Sequence, residues 1–294
     1  EMEVYAAMAD AMDFHVGRLV DHLKAIGEYE RTVFVFLSDN GPEGSDYAEA
    51  QVWLATQYAQ DIDRLGGPGA YGIPGPGWAS ASAAPLNTYK FYAGEGGIRV
   101  PLIVAGVPGG AANRIQGALT HVNDIVPTLL ELAGVPHPGT RYKGQPVQPL
   151  AGRSLVPVLT GKADRVYPPD TPIGYELSGN AALFKGDLKL VRNLPPVGDN
   201  QWHLYDLRAD PGETQDLRDA QPQAFAQMQA DYAAYARDHG VLPMPEGYNP
   251  SRQVLINSMF SYWIPTYRAP ALLTLATLVL MVLWLRRRRR RHGT

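Results

Sequence analysis

An α/β fold, followed by a small antiparallel-sheet-and-helix subdomain and one membrane-crossing helix, is what three observations predict for this 294-residue chain. First, an amphipathic helix at the start leads into the β-branched and aromatic run Arg31-Thr-Val-Phe-Val-Phe-Leu37, the order of an α/β unit. Second, short apolar runs between 173 and 206 alternate with turn residues, the pattern of an antiparallel sheet. Third, Ala269 to Leu285 carries no charge and is followed at once by six arginines.

From Glu3 to Leu23, Val4, Tyr5, Met8, Met12, Val16, Leu19, Val20 and Leu23 recur with helical period. Asp10, Asp13, Arg18 and Asp21 fall largely on the other side, and Gly27 marks the stop. Residues 31–37 read as a strand covered on both faces, as in the middle of an α/β sheet. It ends in Ser38-Asp39-Asn40-Gly41, and the carboxyl ends of buried strands are where open α/β sheets place ligands. A helix is expected over 47–65. Gly66 to Gly77, with nine Gly or Pro in twelve positions, is a long loop of the kind that often belongs to a site. Val100 to Ala105 is a second buried strand, and Asp124 to Ala133 a short helix capped by Asp124 and ended by Gly134 and Pro136.

Beyond a Pro/Gly-rich connection at 136–172, strands are expected over 173–177, 181–184, 188–191 and 202–206, with an Ala-rich helix over 221–239. The chain thus divides into an α/β part at 1–140, a connection at 141–171 and a sheet-plus-helix subdomain at 172–240. A juxtamembrane linker at 241–268, a transmembrane helix at 269–285 and a basic tail at 286–294 follow. The apolar segment spans roughly 25 Å, and snorkelling of Arg286 with flanking Tyr262, Trp263, Tyr267 and Trp284 extends it to the bilayer thickness. By the positive-inside rule the arginines keep the C-terminus cytoplasmic and the body periplasmic or extracellular. The tail reads as a permanent anchor; a cleaved sorting signal is the other reading.

Hydrophobic residues at 45% and charged residues at 19% exclude a disordered chain. The net charge is −3 although Arg286 to Arg291 contribute six positive charges, so the body is acidic and offers no broad nucleic-acid surface. The absence of cysteine rules out disulfides, thiolate metal sites and an encoded Cys nucleophile. The opening at Glu1 has neither the basic start nor the apolar core of a signal peptide, and the chain reads as lacking its beginning.

Asp39 and Asn40 put a carboxylate and an amide oxygen side by side, hard donors suited to Ca²⁺ or Mg²⁺, although Asp-Asn-Gly after a strand is more commonly a turn. Lys90 lies between the Gly/Pro loop and the second strand, where most lysines are simply solvated. Gly96-Gly97 permits close backbone approach, and Glu95 either lines a site or pairs with Arg99. His15, His22, His121 and His203 lack metal-ligand spacing and read as structural or surface residues.

In order, these motifs resemble a formylglycine-dependent sulfatase of the bacterial arylsulfatase-like branch. They are Phe36-Leu-Ser-Asp-Asn-Gly41, Gly77-Trp-Ala-Ser-Ala-Ser-Ala-Ala-Pro85, Tyr89-Lys90, Glu95-Gly-Gly-Ile-Arg-Val-Pro101 and Asp124-Ile-Val-Pro-Thr-Leu-Leu-Glu-Leu-Ala-Gly134. Gly152-Arg-Ser-Leu155, Lys185-Gly-Asp-Leu-Lys-Leu190 and Leu204-Tyr-Asp-Leu-Arg-Ala-Asp-Pro-Gly-Glu213 continue the match, which covers about 1–240. The resemblance implies the C-terminal part of an alkaline-phosphatase-like α/β sulfatase domain, with Asp39 and Asn40 as two Ca²⁺ ligands and Lys90 binding the sulfate group. It implies a sulfate-ester small molecule as substrate; the apolar segment 269–285, outside the resemblance, makes the lipid bilayer the second expected partner. The family's C/S-x-P-x-R motif, source of the formylglycine, is absent. The expectation is a sulfuric ester hydrolase fragment, inactive alone. A non-catalytic membrane-tethered module and a phosphohydrolase of the same fold are the alternatives; the context of Lys90 favours sulfate.

Overall fold

The computed structural model describes residues 1–46, 53–59, 61–111 and 113–291, which fall into two compact units, Glu1–Leu242 and Pro243–Thr294. In the first unit, helix α1 spans Met2–Ala25, close to its expected bounds, and Gly27 follows at φ +74°, a left-handed turn that only glycine adopts freely. None of its residues is buried, and Tyr5, Met8, Met12, Val16 and Leu19 are exposed along the apolar stripe. The period is therefore as expected, but among the described residues nothing covers it.

Strand β1 is Phe34–Leu37, the later part of the strand expected over 31–37, and its expected first residue Arg31 ends a 3₁₀ turn at Tyr29–Arg31. It pairs antiparallel with β2, Leu102–Ala105, as a two-stranded sheet, with Phe34 opposite Ala105 and Leu37 opposite Leu102. The expectation of strands covered on both faces is corrected here: Phe36 is 41% and Ile103 58% exposed. The apolar runs are fit for burial, but two strands cannot cover each other's faces, because side chains of one sheet stand perpendicular to it.

Of the helix expected over 47–65, residues 47–52 and 60 lie outside the described residues; 53–57 are helical and Ile62–Arg64 forms a 3₁₀ turn. The Gly/Pro loop is shorter than expected, because helix α2 occupies Gly75–Ala83. Pro76 at its start lacks only an N–H that would be unpaired anyway, and Ala79 and Ala83 turn inward. A one-turn helix α3, Glu95–Ile98, precedes β2, and α4, Ile125–Leu132, follows it. The two-residue strands β3, Arg141–Tyr142, and β4, Gln145–Pro146, form a hairpin, and α5 spans Val156–Leu159.

Four antiparallel strands then form as the alternation suggested: β5 Ile173–Leu177, β6 Asn180–Lys185, β7 Leu188–Arg192 and β8 His203–Asp206, in that order. Helix α6, Pro222–Asp238, packs on one face through Met228, Phe225 and Tyr232 against Leu183, Leu190 and Leu204. On the other face Ala182, Phe184 and Val191 meet Ala93 and Ile98, so β6 is buried from both sides. Each buried leucine contributes on the order of 1.5–3 kcal/mol, and this sandwich is the main core of the unit.

In the second unit, α7 spans Pro250–Ser258, a π-helical turn covers Met259–Trp263, and α8 runs over Ile264–Arg291. Arg252–Arg287 is long and apolar enough to cross a membrane, with a mean hydropathy of 1.9 in its most apolar window, none of which is buried in the protein.

Candidate active site

The site begins where β1 ends. Ser38, Asp39 and Asn40 bend away from the strand, and Gly41 N–H donates to Gly97 O at 2.8 Å. Gly41 is required here for close approach, since a Cβ would stand 1.9 Å from Gly96 O. Asn40 N–H donates to Asp39 Oδ1 at 3.1 Å, and the Asn40 side-chain amide donates to Gly41 O at 3.0 Å. These bonds use the amide's nitrogen and leave hard oxygens on both side chains at an exposed strand end, a donor set that fits Ca²⁺ chemically. Among the described residues no three His, Cys, Asp or Glu are grouped to hold a metal, so Asp39 and Asn40 would form only part of a coordination shell.

Lys90 is tied to the same turn. Its backbone N–H donates to Pro42 O at 3.0 Å and its ammonium to Glu43 Oε2 at 2.8 Å. The Glu43 hydrogen bond raises the lysine above its ordinary range against a smaller effect of burial, and the charges of Glu43 and Asp39 add to it. Burial works against the Glu43 carboxylate, but hydrogen bonds from Lys90 and Ser45 outweigh it and hold the carboxyl below its usual range. The structure thus brings Asp39 and Lys90 into one electrostatic neighbourhood. Glu43, two residues past Gly41, was missed by the sequence reading; its position in Gly41-Pro-Glu43 was the only signal.

Lys90 stands between Thr88 at φ +65° and Phe91 at φ +85°. Left-handed backbone costs side-chain-bearing residues on the order of 1–3 kcal/mol each, most clearly a β-branched threonine, so the surroundings must hold it. They do so from β6 and from the segments that follow β7 and β8. Asn180 Nδ2 donates to Phe91 O at 3.2 Å, Asn193 Oδ1 accepts from Ala93 N–H at 2.7 Å, and Glu213 Oε2 accepts from Glu95 N–H at 2.8 Å. Lys189, fully buried on β7, places its ammonium 2.8 Å from Glu95 Oε1 and 2.7 Å from Glu213 Oε1. Arg99 lies 3.6 Å from Glu95 Oε2. Glu95 therefore pairs with Arg99, one of its two expected roles, but chiefly with Lys189. Burial pushes the Glu213 carboxyl up, against the attraction of Lys189.

The capping role expected of Asp124 is different in detail. Its Oδ2 accepts from His121 N–H at 2.7 Å, and its Oδ1 accepts from Arg153 N–H at 2.8 Å and from the Tyr167 hydroxyl, joining three segments without bonding α4's own amides. His121 caps its 3₁₀ turn through Nδ1, which accepts from Asn123 N–H at 3.2 Å. His203 bridges two carboxylates, Nδ1 to Asp216 Oδ2 at 2.8 Å and Nε2 to Asp199 Oδ1 at 3.0 Å. Both histidines have structural partners.

Comparison with known proteins agrees with the motifs that place this geometry. The family model described as Sulfatase matches residues 1–135. The chain's relatives are sulfatases. An uncharacterized sulfatase of Schizosaccharomyces pombe is 36% identical over 84% of this chain and 45% of its own length. The arylsulfatase of Klebsiella aerogenes is 35% identical over 55% of this chain and 35% of its own. The solved structure of Ps i-CgsB in complex with k-i-k-neocarrahexaose superposes with a TM-score of 0.57 at 22% identity, over 85% of this chain and 46% of that one. The fold is thus the alkaline-phosphatase-like sulfatase fold, mixed helix and sheet with one long apolar helix at the C-terminus. The chain spans less than half the length of the curated relatives it matches.

Proposed function

We propose that this chain is the C-terminal part of an arylsulfatase-like sulfuric ester hydrolase, in which Lys90 binds the sulfate group and Asp39 and Asn40 bind Ca²⁺. The observation that carries the reading is the junction of the β1 turn with the Lys90 segment, where an ammonium and two hard oxygen donors are held around Gly41 and Pro42. Cleavage of a sulfate ester builds negative charge on the sulfonyl and leaving-group oxygens, and a fixed ammonium stabilises it. A bound Ca²⁺ would add Lewis-acid stabilisation of the same oxygens, completed by ligands from outside the described residues. Lys90 orients the sulfate, and the bonds from Asn180, Asn193 and Glu213 keep the Lys90 segment in its left-handed form.

The nucleophile, expected to be a formylglycine, must come from sequence outside residues 1–294, which hold no cysteine and no Ser-x-Pro-x-Arg. The exposed stripe of α1 and the uncovered faces of β1 and β2 are where that remainder would pack. Residues 269–285 anchor the protein in a bilayer with the body periplasmic or extracellular and the C-terminus cytoplasmic. The support is that α8 from Ile264 to Trp284 rises about 30 Å, the hydrocarbon thickness, with Trp263 just before it and the six arginines just beyond Leu285.

Turnover of a chromogenic aryl sulfate tests the assignment. In the full protein, Lys90→Ala should lower kcat/KM by about 100-fold or more, and residues 1–294 alone should show no turnover. Activity of residues 1–294 alone, or an unaffected Lys90→Ala, would overturn it.

A further inference from the structure

We infer that Glu43 sets the charge selectivity of the site: its carboxylate, held against the Lys90 ammonium, favours a singly charged sulfate ester over a doubly charged phosphate ester. Glu43 Oε2 lies 2.8 Å from Lys90 Nζ. The other oxygen is held as firmly, since Oε1 accepts from Ser45 N–H at 2.9 Å and from the Ser45 hydroxyl at 2.6 Å. With both oxygens engaged, the carboxylate is kept beside the ammonium. The backbone is fixed as well. Lys90 N–H donates to Pro42 O at 3.0 Å, and Gly44 lies so close to the Tyr89 ring that a Cβ would overlap it. The Lys90 and Glu43 side chains are 43% and 45% exposed, so the pair is open to an incoming ligand. The cations around α3, Arg99 and the buried Lys189, are paired with Glu95 and Glu213.

The consequence is electrostatic. A lysine ammonium is a compact point charge with three donors, and alone it favours whichever ligand carries more negative charge. A sulfate monoester carries one negative charge, whereas a phosphate monoester carries close to two at neutral pH. A ligand oxygen on another of Lys90's donors would lie roughly 4–5 Å from Glu43 Oε2, by the tetrahedral spacing of an ammonium's hydrogens. At that distance the carboxylate offsets much of the lysine's attraction, and it repels a dianion about twice as strongly as a monoanion. Specificity is built from such repulsion of the wrong ligand as well as from attraction of the right one.

This inference rests on the sulfate-ester reading, and ligands that resist hydrolysis separate the two. In the full protein, at low ionic strength and about pH 9, direct binding is measured for phenylmethanesulfonate, phenylmethylphosphonate and the methyl monoester of that phosphonate. The three share one skeleton, and only the phosphonate carries two charges. Glu43→Gln, which keeps the size of the side chain, is expected to tighten the phosphonate about four-fold and each monoanion about two-fold, so that the preference for one charge over two falls by about half. Glu43→Asp, which keeps the charge, should leave that preference unchanged. A merely structural role would move all three ligands by the same factor. An equal change in Glu43→Gln, or no gain for the phosphonate, would overturn the inference. Lys90→Ala tests the reading beneath it and should weaken all three. If sulfonate binding does not respond to Lys90→Ala, the sulfate-ester reading fails; lysine-dependent binding with an equal response to Glu43→Gln sinks the charge selectivity alone.

Discussion

Lys90 is already engaged before any substrate arrives, because a Glu43 carboxylate oxygen sits 2.8 Å from its ammonium. A sulfate oxygen approaching Lys90 must share it with that carboxylate. Both side chains are nearly half exposed, so the pair is worth little in stability, but its negative charge stands where an anion should bind. Glu43→Gln is expected to tighten inorganic sulfate by about two- to five-fold, measured by competition against an aryl sulfate. Lys189 is the opposite case. Its charge is fully buried between Glu95 and Glu213, and removing it leaves two carboxylates facing each other without a cation. Lys189→Ala should cost about 3–5 kcal/mol of unfolding free energy in urea titration, and soluble variants should bind sulfate poorly because the Lys90 segment loses its support. His203 gives a pH dependence. Burial disfavours its imidazolium, but the Asp199 and Asp216 hydrogen bonds prevail and raise it above the ordinary 6.5. A cation favoured by folding stabilises fully below its unfolded value and loses that contribution as pH rises through the folded one. The thermal midpoint should therefore fall between about pH 6 and pH 8, and His203→Gln should flatten that slope. Asp39, Asn40 and Lys90 were legible because each sits in a short local motif. Glu213 and Lys189 were not, since they reach Glu95 across 118 and 94 residues of sequence.

Element by element, legibility follows whether a segment's partners lie nearby in the chain. The strands β5 to β8 are joined in sequence, and their alternation and Gly- or Asp-containing turns announced them within a residue or two. Helix α2 was hidden in a Gly/Pro-rich stretch, where alanine's propensity over 79–84 outweighed the composition of its first turn. For α1, β1 and β2 the apolar pattern was read correctly and the burial was not, because a pattern shows that a face needs covering and cannot show what covers it. Gly41 is where β1 and α3 meet, and its role depends on space and not on an unusual dihedral angle. Gly41→Ala would force a methyl group into Gly96 O, with an expected loss of about 1–3 kcal/mol in thermal or urea unfolding and a displaced Asp39-Asn40 turn.

At the level of the whole molecule, the contrast between an acidic body and a basic end was plain from composition, and so was the apolar helix between them. Deleting 269–294 is expected to move the protein from the membrane fraction to the soluble fraction, measured by sedimentation after cell lysis; retention in the membrane would count against the anchor. The bonds that Asn180, Asn193 and Glu213 make to the Lys90 segment, and the Lys189–Glu213 pair behind them, all lie within the unit that ends at Leu242. Proteolytic cleavage within 243–249 would then leave the Lys90 segment with these bonds intact. If the proposed activity and anchor hold, a single cut would turn a tethered protein into a diffusible one, so that its range of action would be set by a protease and not by its own chemistry.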